Sequence, residues 1–277
     1  MIPKGHDNVA VFTPDGDFYM HAKSLVESKQ DQQVPEYWVQ KYEKEHAINW
    51  DVFYKHNKDN FFKDRHYLVR EFDLSITSDR SWVMIEFGCG VGNALLPLVN
   101  EFPTITGLGV DCSRVAIDLM NKRIMDTGLS HRCSGRVVDL TCPGDALDDI
   151  SGTADFVSLI FSMSACSPEN FTTVRDAALK ALKPGGVLLF RDYAKFDLAQ
   201  IRLAEKQSRL GEDFYVRGDN TRAKFFTEDE LHSLFDPVAE CMHLRTHARV
   251  FTNRKTCVEM KRLWVQGMWR KPSLVIS

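Results

Sequence analysis

The apolar run Trp82-Val83-Met84-Ile85 leads through Glu86 and Phe87 into Gly88-Cys89-Gly90-Val91-Gly92-Asn93, and a helix-like segment from Ala94 to Val99 follows. This order restricts the chain to few folds. A strand, a glycine turn and a helix start form a unit whose backbone N–H groups lie bare to a ligand. A dinucleotide site spaces its glycines GxGxxG, the third easing helix-to-strand packing. Here the spacing is GxGxG, with Asn93 where that third glycine would fall. The turn suits S-adenosylmethionine better than NAD.

Two aspartates follow at intervals that fit the same ligand. Asp111 closes the apolar run Thr106-Gly107-Leu108-Gly109-Val110, where a carboxylate is placed to accept from both ribose hydroxyls of a nucleoside. Its alternative role is a helix N-cap, since Asp111-Cys112-Ser113 precedes a helical pattern from Val115 to Ile124. Asp139, in Val137-Val138-Asp139-Leu140-Thr141, ends a third strand and is placed for an adenine amine; its alternative is a plain loop residue.

Between residues 81 and 193 strands alternate with helices, the strands being Trp82 to Glu86, Ile105 to Val110, Arg136 to Val138, Phe156 to Ile160 and Val187 to Arg191. Lys183-Pro184-Gly185-Gly186 stops a helix begun near Asn170. The pattern is α/β and doubly wound. Residues 1–34 read as a weakly structured tail, 35–80 as an aromatic and basic segment, and 81–277 as the main domain. Within that domain 196–227 is an insertion, helical from Phe196 to Gly211. Thr227 caps a short helix with Glu230 three residues on, and His243 to Val250 pairs with Val258 to Met268.

A length of 277 residues, 44% apolar and 26% charged, permits a full core. Seven cysteines form no CxxC pair, so neither a disulfide framework nor a metal site is expected, and a reducing compartment, the cytoplasm with a nuclear pool allowed, is. Met1 to Lys23 lacks an apolar core, which predicts neither a signal nor a transit peptide. No stretch nears the roughly 20 apolar residues of a membrane span. Net charge is −3, yet from His243 to Lys271 eight Lys or Arg stand against Glu259 alone, leaving −10 elsewhere. Such asymmetry suits a polyanion at one edge, or a sheet edge guarded by charge.

More specific runs lie outside the cofactor unit. Asn49-Trp50-Asp51-Val52-Phe53-Tyr54, Asn60-Phe61-Phe62-Lys63-Asp64-Arg65-His66-Tyr67, Leu189-Phe190-Arg191-Asp192-Tyr193, and Leu210-Gly211-Glu212-Asp213-Phe214-Tyr215-Val216-Arg217 with Thr221-Arg222 and Phe225-Phe226-Thr227 resemble the eukaryotic tRNA N3-methylcytidine methyltransferases, the methyltransferase-like 2, 6 and 8 group. The resemblance covers about residues 35 to 272. Tyr67 stands where many of that family carry Trp.

The resemblance implies a class I, Rossmann-like methyltransferase with a seven-stranded, mostly parallel sheet. It implies S-adenosylmethionine held by Trp50, Tyr54, Gly88, Gly90, Asp111, Asp139, Leu140 and Ile160. The implied substrate is cytidine in the anticodon loop and arm of tRNA, with seryl-tRNA synthetase as a partner. Its N3 lies on the Watson–Crick edge and is reached only in an unpaired base. Asp192, at the end of the fifth strand, is the candidate carboxylate facing the incipient cation, with an ion pair to Arg191 or a helix cap as its alternative. Arg65 is suited to the base carbonyl or a phosphate, and Phe61 to stacking. Lys63, His66, Arg70, Arg191, Arg217 and Arg222 are expected at phosphates, with Tyr67, Tyr193 and Tyr215 beside the RNA. Ser162, Ser164 and Cys166 invite a nucleophile reading, but direct methyl transfer needs none, so they are expected to shape the pocket. The competing functions are a small-molecule methyltransferase and a non-catalytic RNA-binding adaptor.

Overall fold

The central strands are buried on both faces, and the molecule is built in layers for that reason. The computed structural model describes residues 9–28, 33–59, 62–252 and 258–273. In it Met84 and Leu189 face one core, while their neighbours Ile85, Leu188 and Phe190 face the other. Successive strand side chains point to opposite faces, so a strand apolar throughout must be covered on both.

In chain order the elements are β1 (Val9–Val11), α1 (Gly16–Glu27), α2 (Glu36–Lys44), α3 (His46–Asn57), α4 (Leu68–Glu71), β2 (Trp82–Phe87), α5 (Leu95–Glu101), β3 (Ile105–Asp111), α6 (Arg114–Asp126), β4 (Cys133–Val137) and β5 (Ala154–Ile160). Then come α7 (Phe171–Ala181), β6 (Leu182–Tyr193), α8 (Leu198–Ala204), β7 (Arg209–Gly211), β8 (Phe214–Val216), β9 (Arg222–Lys224), α9 (Glu228–Phe235), β10 (Glu240–Thr252) and β11 (Glu259–Arg270). The main sheet runs β1-β10-β11-β6-β5-β2-β3-β4. Strands β2 to β6 are parallel to one another, whereas β11, β10 and β1 add antiparallel beyond β6. Helices α5 and α6 cover one face through Leu95, Leu98, Ile117 and Met120. Helices α7 and α9 cover the other through Val174, Ala178, Leu231 and Phe235. The chain leaves β2 for β3 on one side and returns to β5 on the other, and an open α/β sheet binds ligands at the carboxyl ends of strands around such a reversal.

The α/β expectation holds, with three differences. Among the described residues the main sheet has eight strands rather than seven, because β1 adds to the free edge of β10 with Val9 opposite Phe251 and Val11 opposite Arg249. The segment expected to be a weakly structured tail also carries α1, capped by Asp15, whose Oδ1 accepts from Phe18 N at 2.8 Å. Its Val26 packs with Ala204, Tyr215, Ala223 and Phe225. The insertion is helical only over α8; the chain then forms a three-stranded antiparallel sheet, β7-β8-β9. The Thr227 cap is present as read: Thr227 Oγ1 accepts from Glu230 N at 3.1 Å, and Glu230 Oε2 accepts from Thr227 N at 2.8 Å.

The basic stretch lies on the β10–β11 hairpin, and much of it is occupied. Arg262 pairs with Asp197 at 2.9 Å and Arg270 with Glu240 at 3.6 Å. Arg249 lies over Trp264, and Lys261 over Phe12 and Phe18. Arg254 and Lys255 fall outside the described residues.

Candidate active site

A cavity of about 270 Å³ opens at the carboxyl ends of β2, β3 and β5, bordered by α3 and by Tyr193 at the end of β6. Its floor is the glycine turn. Gly88 and Gly90 have φ of +71° and +53°, a region costly for any residue with a Cβ. Space imposes the same choice: a Cβ on Gly90 would lie 2.3 Å from Tyr54 Oη, and one on Gly88 2.2 Å from Ser162 Cβ. Backbone is thus exposed to the cavity where a side chain would fill it.

Asp111 ties this turn to the next helix. Its Oδ2 accepts from Gly90 N at 2.8 Å and its Oδ1 from Ser113 N at 2.9 Å. With the Cys112 thiol also donating to this carboxylate, one of its roughly four acceptor positions remains for a ligand hydroxyl. Burial raises its pKa against these donors. Ser113, not Asp111, caps α6, its Oγ accepting from Ala116 N at 3.1 Å and donating to Asp51 of α3 at 2.6 Å.

Asp139 sits two residues beyond β4. Its Oδ1 accepts from Thr141 N at 2.9 Å and Thr141 Oγ1 at 2.7 Å, while Oδ2 lies 2.9 Å from His46 Nε2. Burial opposes its charge, but the His46 contact and the Thr141 hydrogen bonds outweigh it and hold the carboxyl well below its ordinary range. All eight positions expected to hold the cofactor, Trp50, Tyr54, Gly88, Gly90, Asp111, Asp139, Leu140 and Ile160, line this one cavity. The turn's N–H groups, expected to lie bare, are spent on Val110 O (Gly88 and Cys89), Asp111 (Gly90) and Cys89 O (Gly92), so the turn offers unshielded backbone surface. With two carboxylates on neighbouring strand ends and apolar walls between them it fits a nucleoside bearing a polar tail. That is the shape and chemistry of S-adenosylmethionine.

The opposite wall is aromatic and cationic. Arg65 is held by its backbone N–H, which donates to Asn93 O at 2.7 Å, and its guanidinium lies 4.8 Å from the centre of the Phe161 ring. Its Nη1 is buried with no hydrogen-bond partner among the described residues. Phe161 has φ of +55°, a conformation a bulky residue adopts only when its surroundings impose it. Its N–H donates to Arg191 O at 2.7 Å, and its ring lies 5.0 Å from that of Tyr193, over which Arg217 sits at 5.4 Å.

Other expected site residues lie elsewhere. Asp192 is fully buried and does not line the cavity; its Oδ2 accepts from Ser164 N at 2.8 Å and its Oδ1 from Tyr193 N at 2.9 Å. Burial pushes it up to about 6. It braces the wall from behind rather than facing a ligand. Arg191 is buried between the rings of Tyr67 and Trp264 and bonds Glu71 and Gln266, so Asp192 is not its partner. Arg222 is buried against Glu43 and Ser167 Oγ. Tyr215 is buried in the cluster that receives α1. These three are structural in place of the expected RNA contacts. Lys63, His66 and Arg70 are exposed, Tyr67 is half-buried, and Phe61 lies outside the described residues.

Ser162, Ser164 and Cys166 all border the cavity, and burial pushes the Cys166 thiol up to about 12, which deprives it of nucleophilic character. Sequence reading missed His46, Glu86 and Phe161, all of them lining residues. Only Glu86 carried a signal, as the acid just before the glycine turn.

Residues 54–237 match the family described as Methyltransferase domain. The chain is similar to the tRNA N(3)-cytidine methyltransferase METTL6 of Homo sapiens, 41% identical over 252 residues that cover 88% of this chain and 87% of that protein. It is 38% identical over 236 residues to the tRNA N(3)-methylcytidine methyltransferase Mettl2 of Drosophila melanogaster, covering 80% of this chain and 70% of the other. It is 36% identical over 249 residues to the tRNA(Thr) (cytosine(32)-N(3))-methyltransferase of Saccharomyces cerevisiae, covering 86% and 39%. Among solved structures, a SAM-dependent methyltransferase of Methanosarcina mazei aligns with a TM-score of 0.59 at 18% identity over 76% of this chain and 99% of its own. One from Anabaena variabilis aligns with a TM-score of 0.59 at 16% identity, covering 81% and 94%. Those two share the fold. Sustained over most of both chains, the likeness to the human protein decides membership: this chain belongs to the tRNA N(3)-cytidine methyltransferase family, on a class I methyltransferase fold.

Proposed function

We propose that this protein transfers the methyl group of S-adenosylmethionine to N3 of a cytidine in the anticodon loop of tRNA, with serine tRNA as the acceptor. The observation that carries the reading is Arg65, whose buried and unpartnered Nη1 stands in the cavity beside the glycine turn and against the Phe161 ring. A buried donor left unpaired costs about 1–3 kcal/mol, which a substrate acceptor would recover.

Bound S-adenosylmethionine supplies an electrophilic methyl group. The residues then have one main task, to aim a lone pair, because the in-plane electrons of cytosine N3 are free at neutral pH and no base is needed. Phe161 and Tyr193 offer flat faces to an extruded ring, and Arg65 Nη1 offers a donor to its carbonyl oxygen or to a neighbouring phosphate. Arg217 stands behind Tyr193 as a further cation for the RNA backbone. Asp192 acts as a positioning residue, holding the backbone N–H groups of Ser164 and Tyr193; with its pKa pushed to about 6 it is mostly ionised at pH 7, and its charge favours the cationic product ring.

A net charge of −3 and the enclosure of Arg191 and Arg222 support a partner that grips the body of the tRNA, and the family resemblance nominates seryl-tRNA synthetase. The test is transfer from labelled cofactor to total tRNA, followed by digestion and nucleoside analysis. The expected result is N3-methylcytidine in serine tRNA, raised by added synthetase. Label at another atom, or in metabolites and not tRNA, overturns the reading.

A further inference from the structure

His46 opens α3 and stands where two distant parts of the molecule meet. Its Nδ1 lies 2.8 Å from the backbone oxygen of Glu43, and its Nε2 lies 2.9 Å from Asp139 Oδ2. Both neighbours are acceptors only. A neutral imidazole has one N–H and cannot serve both; the Nε2 contact lies off the hydrogen-bond axis and is an ion pair, which favours a proton on each ring nitrogen, and the partners assign His46 as the imidazolium. The Glu43 carboxylate continues the chain of contacts: it accepts from Ser167 Oγ, from Asn170 Nδ2 at 3.2 Å, and from Arg222 of β9. The link therefore runs from Asp139 in the cavity wall, through His46 and Glu43, to the small sheet of the insertion.

We propose that His46 is a positioning residue for the cofactor, pinning the Asp139 carboxylate from the rear in its imidazolium form and anchoring it, through Glu43, to Arg222. The inference rests on the reading of Asp139 as a ligand for the adenine end of S-adenosylmethionine. The charged groups facing the ring are Asp139 from the segment after β4, Glu43 from α2 and Arg222 from β9. The thiols of Cys112, Cys142 and Cys166 share the field of Asp139, and desolvation raises the pKa of each, so they stay neutral. The close contact with Asp139 raises His46 above its ordinary value, against the opposing effects of burial and Arg222. The ring thus keeps its second proton to a higher pH than a free histidine and releases it as pH rises further.

The test is calorimetric binding of S-adenosylmethionine to the full chain between pH 6 and 9, for the wild type, His46→Gln and Glu43→Gln, with thermal melting as a check on folding. The ligand's own amine titrates in this range for every protein alike, so the difference between profiles is the readout. Wild-type affinity is expected to fall by about tenfold more across the range than that of His46→Gln, which supplies a donor to Asp139 without a titrating charge. Glu43→Gln keeps the imidazole contacts; it is expected to bind a few-fold more weakly at every pH and to retain the pH step. Superimposable profiles for wild type and His46→Gln overturn the role of His46, and unchanged affinity in Glu43→Gln overturns the anchor to Arg222. Absence of binding by the wild type at every pH would instead count against the cofactor reading on which the inference stands.

Discussion

Glu86 illustrates how one residue's chemistry follows from its place in the sheet. It is the last residue but one of β2, buried, accepts from Leu95 N at 3.0 Å at the start of α5, and is pushed by burial up to about 8, with Arg65 opposing the shift. The folded state therefore holds a proton that the unfolded chain releases near its ordinary carboxyl value. Its contribution to stability is full below that value and is lost as pH climbs through about 8. Glu86→Gln keeps an acceptor for Leu95 and removes the titration. Its melting temperature should change less between pH 6 and 8.5 than that of the wild type, by on the order of 5 °C, and parallel melting curves would refute this. Glycine spacing and strand-end aspartates were legible in the sequence because the backbone itself demands them. The direction Asp192 faces was not, since it depends on the turn at Ser164 closing over it. Nor was Phe161, whose left-handed backbone no local residue preference announces.

At the scale of elements, periodicity located the five parallel strands and the helices between them, because each buries a long regular stripe. It failed where an element is short or finds its partner far along the chain. Strands β7, β8 and β9 have three residues each, too few for an alternating pattern to stand out. Helix α1 buries only Ala22 and Val26, and the surface receiving it is made by α8, β8 and β9. Pro14 and Gly16 then read as breakers, although they flank the Asp15 cap. If α1 is integral to the fold, Val26→Ala should lower unfolding stability by about 1–2 kcal/mol through lost apolar area and a small cavity. Urea titration followed by circular dichroism reads this directly. An unchanged midpoint would mean that α1 contributes nothing to the cooperative unit.

Across the whole molecule, the sequence gives charge without saying which charges are spent inside. Net charge of −3 on a protein that must hold a polyanion leaves little surplus for non-specific attraction. Folding consumes several arginines that looked equally available: Arg191 is enclosed by Tyr67, Trp264 and Glu71, and Arg222 by Glu43 and Ser167, while Arg70 remains exposed. These two groups should respond to substitution in opposite ways. Arg70→Ala should weaken tRNA binding a few-fold and lower the slope of log affinity against log salt by about 1, the signature of one lost phosphate contact, with melting unchanged. Arg222→Gln should leave that slope alone but cost about 2 kcal/mol of stability, because Glu43 and Ser167 lose a buried cation while Glu43 keeps part of its access to water. Salt-dependent binding and denaturant titration on the same two variants separate the outcomes. A reduced salt slope with wild-type stability in Arg222→Gln would return that guanidinium to the RNA surface and require the α2–β9 contact to open when tRNA binds.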